Sequence, residues 1–446
     1  MTVPATEARI LGFAEALDSV LLHAGGVRVP DAERVELLGA AGQVLAEDVA
    51  ADRDQPPFDR ATRDGFAVRA AEWTSGTKLR VVGQVRAGEA WAGGAIAAGC
   101  AVEIMTGAAV PAGADAVAMI EHAELDGSEV RAGAGRSLRA GENIVPRGSE
   151  ARQGDVLLAA GTAVCGAEIA LMAACGRAEI VVHQRPAVAI VATGDELVEL
   201  ERAPGAMQIR NSNSYALAAL VEAAGGQARR LAIARDTREH VRARIEEGRA
   251  ADLLLLSGGV SAGKYDLVEE VLAECGAEFF FTGVRMQPGK PVVFGRLPRR
   301  EHRGAPTHIS EARCGAPGAP THVSDARCGA PGSAAWTYFF GLPGNPVSTQ
   351  VTFHCFVEPM LRAMCGAGVG GPKFVQATLA EKVRGKAGVT RVLPAWLTFA
   401  LERPEVRLVA SQGSGDLTAN ARANCYAVLP DGRDLRAGDV ITVLLR

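Results

Sequence analysis

Between residues 186 and 362, short apolar runs alternate with segments of helical period, and few folds accept that alternation. Ala187–Ala192, Leu231–Ala234 and Leu253–Leu256 are apolar runs of strand length. After the first, Leu217, Leu220, Val221 and Ala224 recur at helical spacing, and Gly225-Gly226 ends the segment. Strand and helix in turn predict a parallel sheet with helices on both faces. Such a sheet binds ligands beyond the carboxyl ends of its strands.

The flanks read differently. A chain of 446 residues exceeds one core, so several domains are expected. Residues 7–22 read as an amphipathic helix, with Leu11, Ala14, Leu17, Val20 and Leu21 on one side, and Ala32–Ala46 reads as a second helical stretch. Over 52–145 the apolar runs are short (Val81–Val85, Ala101–Met105, Ala116–Ile120) and Gly and Pro are frequent, which predicts a β-rich domain. Helical period returns at Ala167–Cys175, and the alternating runs Ala427–Leu429 and Val440–Leu445 predict a C-terminal β module.

Net charge is −4 with acids and bases interspersed, which argues against a nucleic-acid binder driven by phosphate neutralisation. The longest apolar stretch, Val156–Ala167, is too short to span a bilayer, and the first sixteen residues have no apolar signal core; a cytoplasmic protein is expected, with its nine cysteines as isolated reduced thiols. APTHISEARCGAPG (305–318) and APTHVSDARCGAPG (319–332) are near copies, too few for a solenoid, and read as a surface loop. Their His308, Cys314, His322 and Cys328 match no closed zinc spacing.

The runs of the sheet region lead into turns rich in Gly, Ser, Thr and acids. The first gives Thr193-Gly194-Asp195-Glu196, and the third gives Ser257-Gly258-Gly259-Val260-Ser261. Farther on, Gly341-Leu342-Pro343-Gly344-Asn345-Pro346 opens a helix expected to run through Phe353. Glycine lets backbone N–H groups crowd towards an anion, so converging turns suit phosphate; singly, each is a common strand–helix turn. Lys290, in QPGKP, reads as a phosphate partner or as a solvated loop lysine. Asp236 with Glu239, and Asp266 with Glu269, have capping-box spacing, which alone would explain both aspartates. Glu196 has no such local job and is the better candidate for ligand or metal work, since carboxylates beside phosphate commonly hold Mg²⁺. Asp59 and Asp64 in DRATRDG, and Met105-Thr106-Gly107, read equally as plain turns.

Taken together and in order, the segments QPPFDRATRDGFAV (55–68), EIMTGAAVPAGADAVAMIEH (103–122), NIVPRGSEARQGDVLLAAGT (143–162), IVATGDEL (190–197), RNSNSYALAALVEAAGG (210–226), LLSGGVSAGKYDLVEEVL (255–272), MQPGKPVVFGRL (286–297) and FFGLPGNPVS (339–348) resemble the molybdopterin molybdenumtransferase family, which includes the C-terminal domain of gephyrin. The resemblance covers almost the whole chain outside the repeat. It implies a multidomain α/β architecture: an elongated N-terminal dimerisation part (1–51 and 146–182), an inserted β-rich domain (52–145), a molybdopterin-binding α/β domain (183–372, with the repeat insertion at 304–332) and a C-terminal β domain (373–446). It implies a transferase that converts adenylyl-molybdopterin and molybdate into molybdenum cofactor with release of AMP. It further implies a homodimer whose cleft sets Asp59 and Thr106 opposite Glu196, Asp236 and Asp266, and contacts with other cofactor-biosynthesis proteins.

Carried over residue by residue, the family pattern makes Asp59, Glu196, Asp236, Asp266 and Lys290 the catalytic set. Mg²⁺ falls to Glu196 and Asp266. Substrate binding falls to Thr106, to Thr193, Gly194 and Asp195, to Ser257, Gly258, Gly259 and Ser261, and to Pro343, Gly344, Asn345, Pro346 and Ser348. Arg391 and Ser414 match positions near the molybdate. Departures are Ala61 for Ser, Arg63 for Met, Phe66 for Tyr, Lys264 for an acid, and Gly283 and Gln287 where some members carry lysine. Two alternatives stay open: a molybdopterin adenylyltransferase, and a non-catalytic cofactor carrier or scaffold. Tungstate in place of molybdate also fits the sequence.

Overall fold

The computed structural model describes residues 9–259, 267–300, 336–399 and 403–446. Ser261, Asp266 and the tandem repeat lie outside the described residues. Two compact units are present, one of residues 1–33, 42–44 and 183–446, the other of residues 34–41 and 45–182.

The first unit opens with helix α1 (Phe13–Ala24), which buries Ala16, Val20 and Ala24 along one stripe. It starts later than the apolar period suggests, because Glu15 accepts from the Gly12 N–H at 2.6 Å and fixes the first turn there.

The second unit carries a six-stranded sheet. Its strands are β1 (Gly65–Val68), β2 (Lys78–Val85), β3 (Cys100–Ile104), β4 (Ala116–Met119), β5 (Ala123–Asp126) and β6 (Glu129–Ala132), in the order β4-β1-β3-β2-β6-β5. Alternate residues serve two small cores: Ala67, Val102 and Ile104 on one face, Phe66, Val68 and Ala101 on the other. Helix α2 (Gly166–Ala174) belongs to this unit and packs Met172 with Leu45, Val49 and Val164. The helix expected at Ala32–Ala46 does not form. Ala32–Glu36 is a strand and Leu37–Ala40 a single 3₁₀ turn, after which Gly42 adopts a left-handed φ of 78°. Helix propensity is overruled because Val35, Leu37 and Ala40 find their burial in the small α2 core.

Back in the first unit, β7 (Ala187–Ala192), helix α3 (Asn213–Ala223), β8 (Gln227–Arg230), helix α4 (Arg238–Gly248) and β9 (Leu253–Ser257) follow one another. Helix α5 (Leu267–Glu274), β10 (Glu278–Phe281), β11 (Val293–Pro298) and β12 (Trp336–Leu342) complete the layer. The sheet order is β8-β7-β9-β12-β11-β10, with parallel pairing among the first four strands and antiparallel pairing of β11 with both β12 and β10, so that only β11 runs the other way. Both faces are covered, which is why the central strands read as unbroken apolar runs. Val188, Ile190, Leu253, Leu255 and Phe340 face α3, whereas Ala189, Val191, Leu254, Leu256 and Phe339 face α4 and α5. The run Leu231–Ala234 lies just past its strand. β8 is the polar edge strand Gln227–Arg230, and Leu231 and Ala234 follow it with N–H bonds to Ile190 and Ala192 of 2.8 and 2.9 Å.

After β12 comes α6 (Pro346–Thr352), then a π-helical turn at Phe353–Val357 and α7 (Glu358–Met364). The C-terminal strands are β13 (Phe374–Leu379), β14 (Thr390–Thr398), β15 (Glu405–Leu408), β16 (Cys425–Leu429) and β17 (Val440–Leu445), with helix α8 (Leu417–Arg422) before β16. Pairing runs β14-β15-β13-β17-β16 and returns from β16 to β14, so the five strands close into a barrel around Ala377, Leu379, Ala395, Leu397, Val406, Ala427 and Val443. Met286–Gln287 pairs parallel with Thr390–Arg391 and ties this barrel to the α/β layer.

Candidate functional site

Three neighbouring parallel strands end at the same level. Ala192 of β7 is in register with Ser257 of β9, and Ser257 with Leu342 of β12. Their turns therefore leave the sheet side by side. Connections diverge here too: α3 covers one face of the sheet and α4 the other. Such a reversal leaves a crevice at the carboxyl edge.

A cavity of about 1080 Å³ fills that crevice and extends under the barrel. Thr193, Gly194 and Glu196 line it from the first turn, Ser257, Gly258 and Gly259 from the second, and Pro343, Gly344, Asn345 and Pro346 from the third. Asp236, Lys290, Ser348 and Ser414 line it as well. Asp195 and Arg391 do not. The Asp195 carboxylate accepts from the Asp236 N–H at 3.4 Å and lies 3.8 Å from Arg235. Arg391 donates to the carbonyl of Arg384, and its Nε is buried without a partner among the described residues.

Close approach makes glycine necessary in the second turn. Gly258 has φ 96°, and a Cβ there would stand 2.5 Å from the Thr193 carbonyl oxygen. Gly259 has φ 66°, and its Cβ would meet Val268 at 2.6 Å. Gly344 differs: its nearest neighbour would be the Gly258 Cα, at an ordinary 3.6 Å. The turns are stitched by Asn213, at the start of α3. Its amide donates to Ser257 Oγ at 2.9 Å and to the Gly344 carbonyl at 2.7 Å. The sequence does not single out Asn213; the available signal was a polar side chain opening the helix after the first turn. Thr193 Oγ1 is buried and has no partner among the described residues, a polar atom left over at the cavity edge.

The barrel wall is held by α6. Asn345 donates to Ser414 Oγ at 2.9 Å, and the Val347 N–H donates to the Ser414 carbonyl at 3.0 Å. Thr349 Oγ1 donates to the Pro343 carbonyl at 2.6 Å and locks the third turn against the same helix.

Charge at the other end is negative. Partial burial raises the Asp236 carboxyl above its usual range, and the nearby Asp195 and Glu196 carboxylates raise it further. Asp236 is not the helix cap that its spacing suggests. Thr237 caps α4, its side chain accepting from the His240 N–H at 3.4 Å, and Asp236 is left facing the cavity.

Asp59 and Thr106 belong to the second unit, on two loops zipped together. The Val110 N–H donates to the Asp59 carbonyl at 2.8 Å, and the Gly107 N–H to the Ala61 carbonyl at 2.8 Å. Asp59 Oδ1 accepts from the Arg147 N–H at 2.8 Å. Thr106 donates twice to Asp64 Oδ1, from N at 2.6 Å and from Oγ1 at 2.7 Å, and these bonds hold the Asp64 carboxyl below its ordinary value.

Comparison with known proteins covers the same span. Three family descriptions match in order: MoeA N-terminal region (domain I and II) over 11–176, probable molybdopterin binding domain over 189–363, and MoeA C-terminal region (domain IV) over 376–445. A Staphylococcus aureus protein named molybdopterin molybdenumtransferase is 31% identical over 423 residues, 92% of this chain and 90% of the relative. A Nostoc protein of the same name is 32% identical over 423 residues, 93% of this chain and 88% of the relative. Among solved structures, a molybdopterin biosynthesis moeA protein from Pyrococcus horikoshii OT3 has a TM-score of 0.74 at 26% identity, covering 98% of this chain and 100% of that one. A second solved structure, titled molybdopterin biosynthesis moea protein from Pyrococcus horikosii, has a TM-score of 0.68 at 28% identity, covering 98% of this chain and 99% of that one.

Two outcomes follow for stability. Gly258→Ala is expected to destabilise the fold by about 2 kcal/mol or more, and Gly344→Ala by less than about 1 kcal/mol, read by denaturant unfolding. Equal losses would remove the close-approach argument. A carboxyl whose folded pKa is raised contributes stability below its unfolded value, here 3.8, and that contribution is lost as pH rises through the folded value. Asp236→Asn is therefore expected to raise Tm at pH 7 by roughly 1–2 °C, with the gain shrinking as pH falls towards 4. A lower Tm at pH 7 would mean that the ionised carboxylate supports the fold.

Proposed function

Because this chain belongs to the molybdopterin molybdenumtransferase family, we propose that the cavity takes adenylyl-molybdopterin and molybdate and yields molybdenum cofactor and AMP. Molybdenum insertion into molybdopterin is the activity its relatives are named for. One observation carries the assignment to this cavity: three turns from in-register strand ends, the second requiring glycine at two positions, open on one space together with Lys290 and two acids. A nucleotide-bearing pterin suits such neighbours, an anhydride for the glycine turns and a flat ring for the apolar side lined by Leu393, Leu408 and Leu417.

Each group has a task in this reading. Ser257, Gly258 and Gly259, with Ser261 outside the described residues, hold phosphate. Lys290 answers the anhydride charge. Asn345, Pro346, Ser348 and Ser414 shape the end where the α/β layer meets the barrel, with Arg391 behind it. The dithiolene sulfurs of the substrate itself take the metal, so the chain's work is to orient and to balance charge.

Magnesium fits the acidic end. Asp236 has its proton affinity raised by partial burial and then by two neighbouring carboxylates, both of which a bound cation would offset, and the donors are oxygens. Among the described residues no three His, Cys, Asp or Glu side chains form a complete metal site. Glu196 and Asp236 would thus share the ion with substrate phosphate, joined by Asp266 from outside the described residues. Bound there, it would neutralise charge as the anhydride breaks.

The adenylyltransferase alternative is not favoured, because the match extends through the regions before 189 and after 363. Among the described residues no helix is long and apolar enough to cross a membrane. The reading places the work in the cytoplasm, in a homodimer where Asp59 of the partner subunit and the partner's Thr106 complete the cleft, with room for other cofactor-biosynthesis proteins.

Purified chain given adenylyl-molybdopterin, molybdate and Mg²⁺ should release AMP, and Glu196→Gln should slow release by about a hundredfold with substrate still bound. No AMP from wild-type protein that binds the substrate would sink the assignment. Mixing Asp59→Asn with Glu196→Gln dimers, each inactive alone, should restore about a quarter of wild-type activity, since half the dimers are mixed and each has one intact cleft. No recovery after demonstrated exchange would place Asp59 and Glu196 in the same cleft from one chain, or Asp59 in none.

A further inference from the structure

The rim of the cavity holds a cation that none of the preceding roles uses. Gln287 lines the cavity three residues before Lys290. Its Oε1 accepts a hydrogen bond of 2.8 Å from Nζ of Lys386, a residue of the barrel. Lys386 lies in the loop between β13 and β14, remote from the sheet turns in sequence.

That loop is built, not draped. The Gly385 N–H donates to Asp434 Oδ1 at 2.7 Å, and the Gly388 N–H to Asp431 Oδ1 at 2.6 Å. Val383 and Leu435 exchange backbone bonds of 3.0 and 2.9 Å, and the Lys386 carbonyl accepts from the Gly432 N–H at 3.1 Å. A Cβ on Gly385 would collide with the backbone of 432–433 at 2.6 Å. The Lys386 backbone is thus clamped on both sides. At the loop's far end, Arg391 is the register partner of Gln287, so loop and rim share one pair of strands.

The charge at this rim is unbalanced. Among the described residues, neither Lys290, Lys386 nor Arg391 has a carboxylate within ion-pair distance. Asp431 and Asp434, on the facing segment between β16 and β17, each have an oxygen engaged by a backbone N–H of the loop, and the loop's own Glu381 accepts from the Leu408 N–H at 3.1 Å. A neutral amide oxygen leaves the ammonium charge uncompensated, whereas an incoming dianion accepts the same proton and supplies the opposite charge. An exposed lysine on a four-carbon stem can make that exchange by rotamer change alone.

We propose that Lys386 is an oxyanion-binding residue of this cavity, held ready by Gln287 and closing with Lys290 on a tetrahedral dianion. The identity of that dianion rests on the proposed function: molybdate or the substrate's own phosphate. The existence of the site does not.

The test uses the full chain. Sodium molybdate alone, and inorganic phosphate alone, are titrated calorimetrically into wild type, Lys386→Gln, Lys386→Arg and Lys382→Gln. KM values for molybdate and for adenylyl-molybdopterin are measured on the same proteins. Lys386→Gln should weaken binding of one oxyanion, and raise the matching KM, about tenfold at nearly unchanged kcat, with Lys386→Arg within about twofold of wild type. A rise confined to the molybdate arm identifies the metal oxyanion, and one confined to the pterin arm identifies phosphate. Lys382→Gln should leave both unchanged. Wild-type affinities in Lys386→Gln, or an equal loss in Lys382→Gln, overturns the proposal. Loss of molybdate binding in Lys386→Gln together with an inactive wild type would leave this site standing and remove the transferase assignment instead.

Discussion

The site depends on register. Ala192, Ser257 and Leu342 are paired across three parallel strands, so the chain must turn three times at one level of the sheet. Crowding follows in the second turn. The Thr193 carbonyl sits where a Gly258 side chain would begin, and Val268 where one on Gly259 would. Only backbone fits in such a space, and backbone is what an anion needs. The apolar runs that fix the register, Ala187–Ala192 and Leu253–Ser257, do so because both sheet faces are covered. A one-residue slip would exchange every side chain between two packed cores.

The acidic end answers a different constraint. Asp236 faces the cavity because Thr237, not Asp236, caps α4, and its proton affinity rises first through partial burial and then through the nearby Asp195 and Glu196. Three carboxylates near one another oppose stability at neutral pH, and the helix could have been capped without that arrangement. Arrangements of this kind cluster where charge is to be handled during a reaction. Cap spacing and site role are thus separated by geometry at Asp236, where the sequence left both open.

Much of this was legible beforehand, and the limits have physical causes. The turns could be read because glycine after an apolar run is tied to backbone conformation at that residue. The closed barrel could be read only as a β module, since closure is set by the pairing of β16 with β14, a contact between residues 391–395 and 425–429 that no local pattern encodes. Ala32–Ala46 misled because its apolar spacing suits a helix, while burial of Val35, Leu37 and Ala40 was better met by an extended chain and a 3₁₀ turn. Asn213 went unnoticed because its work is joining two turns 44 and 131 residues away.

Gln287 shows how a local departure can be absorbed by the fold. The family resemblance implies lysine there in some members, and on sequence grounds alone the rim loses a charge. The parallel pairing of Met286–Gln287 with Thr390–Arg391 brings the β13–β14 loop to the same edge, and Lys386 ends on the Gln287 amide. That loop is fixed by its own bonds to residues 431–435, so the Lys386 backbone is placed independently of residue 287, and the Gln287 amide orients only the ammonium at the end of its stem. A cavity wall made from two layers that share a strand pair can therefore carry its charge on a residue of either layer.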